Sequence, residues 1–140
     1  MLEPSGSDLS ITIEALGEAF PESLKWEWDD RFGGMLAVFE VIDKDRILAV
    51  LKARFGQAWD CTNISDAPDS VSVAIQSFGG LKANQLLFTS DWNQDVVVLG
   101  FWWPWGNGAN ISIRFVPYGS ETSDNALESV KFALRAAFGV

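Results

Sequence analysis

Apolar residues recur along this chain at two periods, and the alternation between them marks out the elements. Leu9, Ile13, Leu16 and Phe20 fall at intervals of four, three and four, on one helical face. Ser7 stands where a helix cap belongs and Pro21 stops the run. A helix is therefore expected over residues 8–20, with residues 1–7 as a loose Pro/Gly/Ser tail. The period then drops to two: Leu24, Trp26 and Trp28 alternate with Lys25 and Glu27, as in a half-buried strand. Asp29 to Gly34 reads as a turn. Residues 35–42 are apolar at nearly every position, which predicts a strand covered on both faces and paired with the first as a hairpin.

A second helix is expected after Asp43-Lys44-Asp45. Ile47, Leu48, Leu51 and Phe55 supply its apolar face, Lys52 and Arg54 sit where the helix dipole favours cations, and Gly56 follows as its terminator. Residues 58–63 read as a short strand. Residues 71–78 fit both periods. Val71, Val73 and Ile75 alternate, whereas Val71, Ala74, Ile75 and Phe78 share a helical face. The β-branched content and the Gly79-Gly80 pair behind it favour a strand. Residues 86–89 and 95–103 read as strands, the second apolar on both faces, with a turn at 90–94. Over 110–117, Ile111, Ile113 and Phe115 alternate with Asn110, Ser112 and Arg114, predicting a strand with one wet face or a place at the sheet edge. Asn125 and Glu128 have capping-box spacing. Leu127, Val130, Leu134, Ala137 and Phe138 form the stripe of a last helix, which Gly139 closes.

The resulting order is α-β-β-α-β-β-β-β-β-α. Short turns connect antiparallel neighbours and cannot make parallel crossovers. The expected fold is thus α+β: a two-layer sandwich in which a mostly antiparallel sheet of five to seven strands is covered by N-terminal, middle and C-terminal helices, all in one domain over residues 8–140. The second helix is the only segment long enough for a crossover.

Composition then narrows the chemistry. The 140 residues include no histidine and one cysteine, Cys61. His-based zinc sites, Ser-His triads and Cys-His pairs are excluded together. Cys61, on an expected strand beside Asp60, reads as structural. Gly33-Gly34 and Gly79-Gly80 lack the residues of a phosphate loop, and Asp43-Lys44-Asp45 lacks the glycine and glutamate of a calcium loop. No cofactor or metal is expected, and no carboxylate pair is marked out for acid–base catalysis, so the reading leans away from an enzyme.

Charge points to a kind of partner. There are 19 acidic and 10 basic residues, net charge -9, and the first thirty positions hold eight acids against Lys25 alone. Such a surface repels phosphate backbones and anionic lipid, so neither nucleic acid nor membrane is expected as a partner. It steers in a basic protein. The lone cysteine and the lack of a basic-apolar leader at Met1 favour a cytoplasmic location.

Tryptophan supplies the candidate contacts. In Phe101-Trp102-Trp103-Pro104-Trp105-Gly106-Asn107-Gly108, Trp102 and Trp103 must point to opposite sheet faces, and Trp105 lies beyond the proline that ends the strand. At least one ring is expected to be partly exposed, with Asn107 and Asn110 beside it. Trp92 stands in an expected turn as an isolated surface anchor. Trp26 and Trp28 share a strand face that runs into Asp29 and Asp30, an aromatic and acidic edge suited to a cationic partner. The plain alternative for all of these is that large rings wall the core. The expected function is a non-catalytic, acidic interaction module that binds or neutralises a basic protein. The rivals are a small-molecule binder or carboxylate-dependent enzyme with a tryptophan-lined pocket, and a structural homo-oligomer. A homodimer would use the C-terminal helix, whose Phe132, Ala133 and Ala136 widen its apolar arc, or strand 110–117 as an edge.

Overall fold

The computed structural model describes residues 13–20, 24–89, 97–119 and 124–140. Among these, helix α1 runs over 13–19, and the remaining elements are β1 (Glu27–Asp29), β2 (Gly34–Glu40), α2 (Lys44–Arg54), β3 (Gln57–Trp59), α3 (Asp69–Gln76), β4 (Leu86–Thr89), β5 (Val97–Pro104), β6 (Asn110–Tyr118) and α4 (Asp124–Phe138). The proposed tail at 1–7, the start of the first helix and the turn at 90–94 with Trp92 lie outside the described residues.

The six strands form one sheet in the order β1-β2-β6-β5-β4-β3, antiparallel at every step. After the β1–β2 hairpin the chain crosses to the far edge through α2, and β3 to β6 meander back to pair with β2. The fold is an α+β two-layer sandwich. Ile13 and Leu16 of α1, Ile47 and Leu51 of α2 and Leu134 of α4 pack in one cluster with Met35, Ala37, Phe39, Ile111, Ile113 and Phe115 of the sheet. Among the described residues no helix is long and apolar enough to cross a membrane.

Phe115 is the hub of this layer. Its ring lies 5.5 Å from Trp26, 5.8 Å from Phe20 and from Phe138, and 6.0 Å from Phe55. Gly100, its cross-strand partner, makes the room. A Cβ there would stand 3.3 Å from Phe55 Cζ and from Phe88 Cβ, closer than packed carbons normally sit.

Four expectations are corrected by the structure. Residues 71–78 are helical rather than extended. Val71, Ala74 and Ile75 are buried at i, i+3 and i+4, and Val73 is exposed, which is the burial of a helix and not of a strand. Pro68 opens α3, and Gly79 and Gly80, both at positive φ, close it: Gly80 N–H donates to Ile75 O at 2.9 Å and Gly79 N–H to Gln76 O at 3.1 Å. That pair of bonds is a Schellman cap, so the Gly-Gly pair behind Ile75 was a helix signal. The helix packs on the sheet face opposite α1, α2 and α4, with Leu87, Val97, Leu99, Phe101 and Val116 beneath it.

Strand 110–117 is interior rather than at an edge, since β6 is paired with β2 on one side and β5 on the other. Its polar side is covered by neighbours instead of water: Ser112 is buried, and Arg114 is enclosed by an acid and two rings described below. A dimer through that edge is thereby removed, because no free ladder remains. Residues 58–63 are not one strand. β3 ends at Trp59, and Asp60–Asn63 is a turn held by Asp60 Oδ1, which accepts from Thr62 N–H and Thr62 Oγ1 at 2.9 and 2.6 Å. Cys61 lies on that turn and is exposed. Finally, β2 is buried throughout its helical face but only in part on the other, where Leu36 is half-buried and Val38 and Glu40 are exposed.

Smaller differences follow the same logic. α2 ends on Phe55, whose N–H reaches Leu51 O at 2.9 Å, so the extended Phe55 and not Gly56 makes the stop. Gly139 does close α4 as expected, with Val140 N–H on Arg135 O at 3.0 Å.

Candidate functional site

The sheet has two ends, and the candidate residues divide between them. β2, β3 and β5 run in the same direction because each neighbouring pair is antiparallel. Their C-terminal ends share one end of the sheet, and the β1–β2 turn marks the other. β2 spans Gly34–Glu40, so about 20 Å separates the two ends. Trp105 and Asn107 lie at the first, Trp26, Trp28, Asp29 and Asp30 at the second. The structure does not unite them in one surface.

At the first end, β5 and β6 are joined by residues 105–109. Trp105 N–H donates to Asn110 O at 2.8 Å, so the chain turns back at once after Pro104. Asn107 Oδ1 accepts from Ala109 N–H at 2.9 Å and Asn110 N–H at 3.2 Å, which fixes the loop from inside. That amide oxygen is therefore a loop tie and not a free contact. Trp105 is left 46% exposed.

Two residues that the sequence reading put in a strand join it. The register pairs Glu40 with Asn110, and Val41 N–H then donates to Ala109 O at 2.8 Å. This bond ties the short 3-10 turn Val41–Asp43 to the tryptophan loop. Val41 is 39% exposed and Ile42 86%. An aromatic and two aliphatic side chains are thus exposed on segments joined by a backbone bond. The available signal was that Val41 and Ile42 precede the Asp43 that opens α2, so strand alternation no longer binds them.

Acids gather at the same end of the sheet. Glu40, Asp45 and Asp66 are exposed, and Asp43 and Asp60 are half-exposed. Asp60 and Asp66 follow β3 on the same end of the sheet. The hydrogen bonds from Thr62 hold the Asp60 carboxyl below its ordinary range, so it stays charged. Lys44, Arg46 and Lys82 interleave with the acids, and Arg46 reaches Asp43 at 3.5 Å. Among the described residues no group of three His, Cys, Asp or Glu is placed to hold a metal ion.

The other described tryptophans are buried or half-buried against neighbouring side chains. Trp102 is buried against Phe39, ring centroids 5.6 Å apart. Trp26 packs between Phe20 at 5.3 Å and Phe138 at 4.4 Å. Trp28 is half-buried beneath Arg135, whose guanidinium lies 5.0 Å from its ring. Trp103 faces the opposite side from Trp102, as strand alternation requires.

At the second end, Asp29 points to the sheet face away from the main helices. Arg114 Nε donates to its Oδ2 at 2.9 Å, with the two side chains only 11% and 16% exposed. The guanidinium is held between the rings of Phe32 and Trp103, 4.8 Å from each. Burial pushes the Asp29 carboxyl up, but the bond from Arg114, the Arg31 N–H at 2.9 Å and the guanidinium charge outweigh it and leave the group below its ordinary range. Asp29 is an internal anion with an internal partner. Asp30, one residue on, is exposed.

No family model matches the chain, and neither a curated protein nor a solved structure is significantly similar to it. The reading of the site rests on this geometry.

Proposed function

We propose that this chain is a non-catalytic interaction module that binds a basic protein through the Trp105 end of its sheet. One observation carries the reading: Trp105, Val41 and Ile42 are exposed on two segments tied by the Val41–Ala109 hydrogen bond. An aromatic anchor with aliphatic neighbours and a polar rim has the composition of a protein-binding hot spot. The rim is net acidic, with Glu40, Asp43, Asp45, Asp60 and Asp66 against Lys44, Arg46 and Lys82. The chain's net charge of -9 adds a long-range field of the same sign. The rival pocket for a small molecule needs tryptophans to line it, and the packing of Trp26, Trp102 and Trp103 among other side chains counts against that reading.

The test is affinity capture from native lysate with the wild-type chain and with Trp105→Ala and Ile42→Asp, each checked for an unchanged melting temperature. The expected result is a retained set enriched in basic proteins, released by raised salt and lost with both variants. An unchanged set on the variants, or a set that contains no basic protein, overturns the reading.

A further inference from the structure

Phe132 presents an unanswered side chain far from the Trp105 end. It stands on the outer face of α4 and is 77% exposed, the most exposed aromatic ring among the described residues. Ser129 and Ala136 flank it one turn to either side, both exposed, so nothing bulky shields it. Beside it runs a groove of about 280 Å³ between α4 and the β1–β2 turn. Trp28 and Gly33 line one wall, and Lys131 and Arg135 the other.

The charges around this groove differ from those of the chain as a whole. Two molecules of net charge -9 repel each other. At this groove the charged residues are Asp30 and Glu128 against Lys131 and Arg135, two of each sign. Their order along the helix matters as much as their sum. Glu128 lies one turn before Phe132 and Arg135 one turn after it. Two copies of α4 crossed antiparallel at Phe132 therefore bring Glu128 of each against Arg135 of the other, twice by symmetry. Glu128 is free enough for this: it touches Lys131 at 3.4 Å and its side chain remains 69% exposed. A unipolar basic partner would instead meet Lys131 and Arg135 unfavourably.

We propose that a second copy of this chain occupies this surface, in a two-fold dimer with α4 antiparallel to α4 and Phe132 of each copy in the groove beside Trp28 of the other. A ring beside its own receiving groove, on a patch whose charges are complementary to themselves, is what an isologous interface requires. The dimer leaves the Trp105 end to other contacts, so the two proposals stand or fall separately.

The test is sedimentation equilibrium of the full chain over about a hundredfold range of concentration, where mass action fixes the dimer fraction. The wild type is expected to move from monomer to twice the monomer mass. Phe132→Glu is expected to stay monomeric, with an unchanged circular dichroism spectrum because the ring makes little of the core. Glu128→Arg and Arg135→Glu are each expected to weaken the dimer about tenfold or more, because each substitution turns both symmetry-related charge pairs to repulsion. The double variant, Glu128→Arg with Arg135→Glu, is expected to regain it. A monomer throughout, a dimer indifferent to Phe132→Glu, or no recovery in the double variant overturns the proposal. So does a captured foreign protein that is lost with Phe132→Glu from a chain that runs as a monomer.

Discussion

The β1–β2 turn and the β5–β6 loop close the sheet at opposite ends, and they spend their special residues in opposite ways. At the β1–β2 turn an acid faces inward. Asp29 is met by Arg114 from β6, and the guanidinium is held between Phe32 and Trp103. At the β5–β6 loop an aromatic faces outward, while the Asn107 side chain turns inward and bonds the loop to itself. The acid expected to be a surface contact has a structural partner, and the tryptophan that might have walled the core is open to water. Residue type does not decide function here; what matters is whether the fold supplies the side chain with a partner.

This difference can be broken first at Arg114. Arg114→Ala leaves Asp29 little exposed and uncompensated, and is expected to cost about 3 kcal/mol, as truncating one member of an enclosed ion pair does. Chemical denaturation measures it. Asp29→Asn keeps the shape and loses the charge, with an expected cost of about 2 kcal/mol. Its pH dependence has a definite sign. The folded state holds the Asp29 carboxyl below its ordinary range, so the pair contributes fully above the ordinary carboxylate pKa and fades as pH falls through the lowered value. The melting-temperature gap between wild type and Asp29→Asn is therefore constant from neutrality down to that range and closes in stronger acid. A gap that widens on acidification contradicts this assignment.

The β5–β6 loop is expected to respond more weakly. Asn107→Ala removes two bonds from an exposed loop and should cost about 1 kcal/mol. Trp105→Ala should change stability by less than about 0.5 kcal/mol, since the side chain has no burial to lose comparable to Trp102. If Trp105→Ala proves as damaging as Arg114→Ala, the ring belongs to the core and the contrast between the two ends disappears.

Much of this architecture was legible in the sequence, and each miss has a physical cause. Helix α4, the β1–β2 hairpin, and β5 with both faces apolar follow from periodicity, because each alternation survives in the packing. The β-branched content of residues 71–78 points to a strand, but their position decides for a helix. Pro68 in front and Gly79-Gly80 behind bracket a helix-length segment, and only the helical set Val71, Ala74 and Ile75 is buried. The polar side chains on one face of β6 predict a wet face, but Ser112 and Arg114 meet Trp103 and Asp29 across the sheet. A sequence shows that a residue is polar but not that its partner arrives from 85 positions away. At the candidate site, the exposure of Trp105 could be read from Pro104. The Val41–Ala109 bond could not, since it depends on which strand β6 chooses as its neighbour.

The most direct measurement is fluorine NMR on chain labelled with 5-fluorotryptophan, its resonances assigned by single Trp→Phe variants, with and without a basic protein recovered by capture. The Trp105 resonance should shift or broaden on addition and return when salt is raised, while those of Trp26 and Trp102 stay in place. If Trp105 is unmoved while another ring responds, the recognition surface lies elsewhere and the central claim is contradicted.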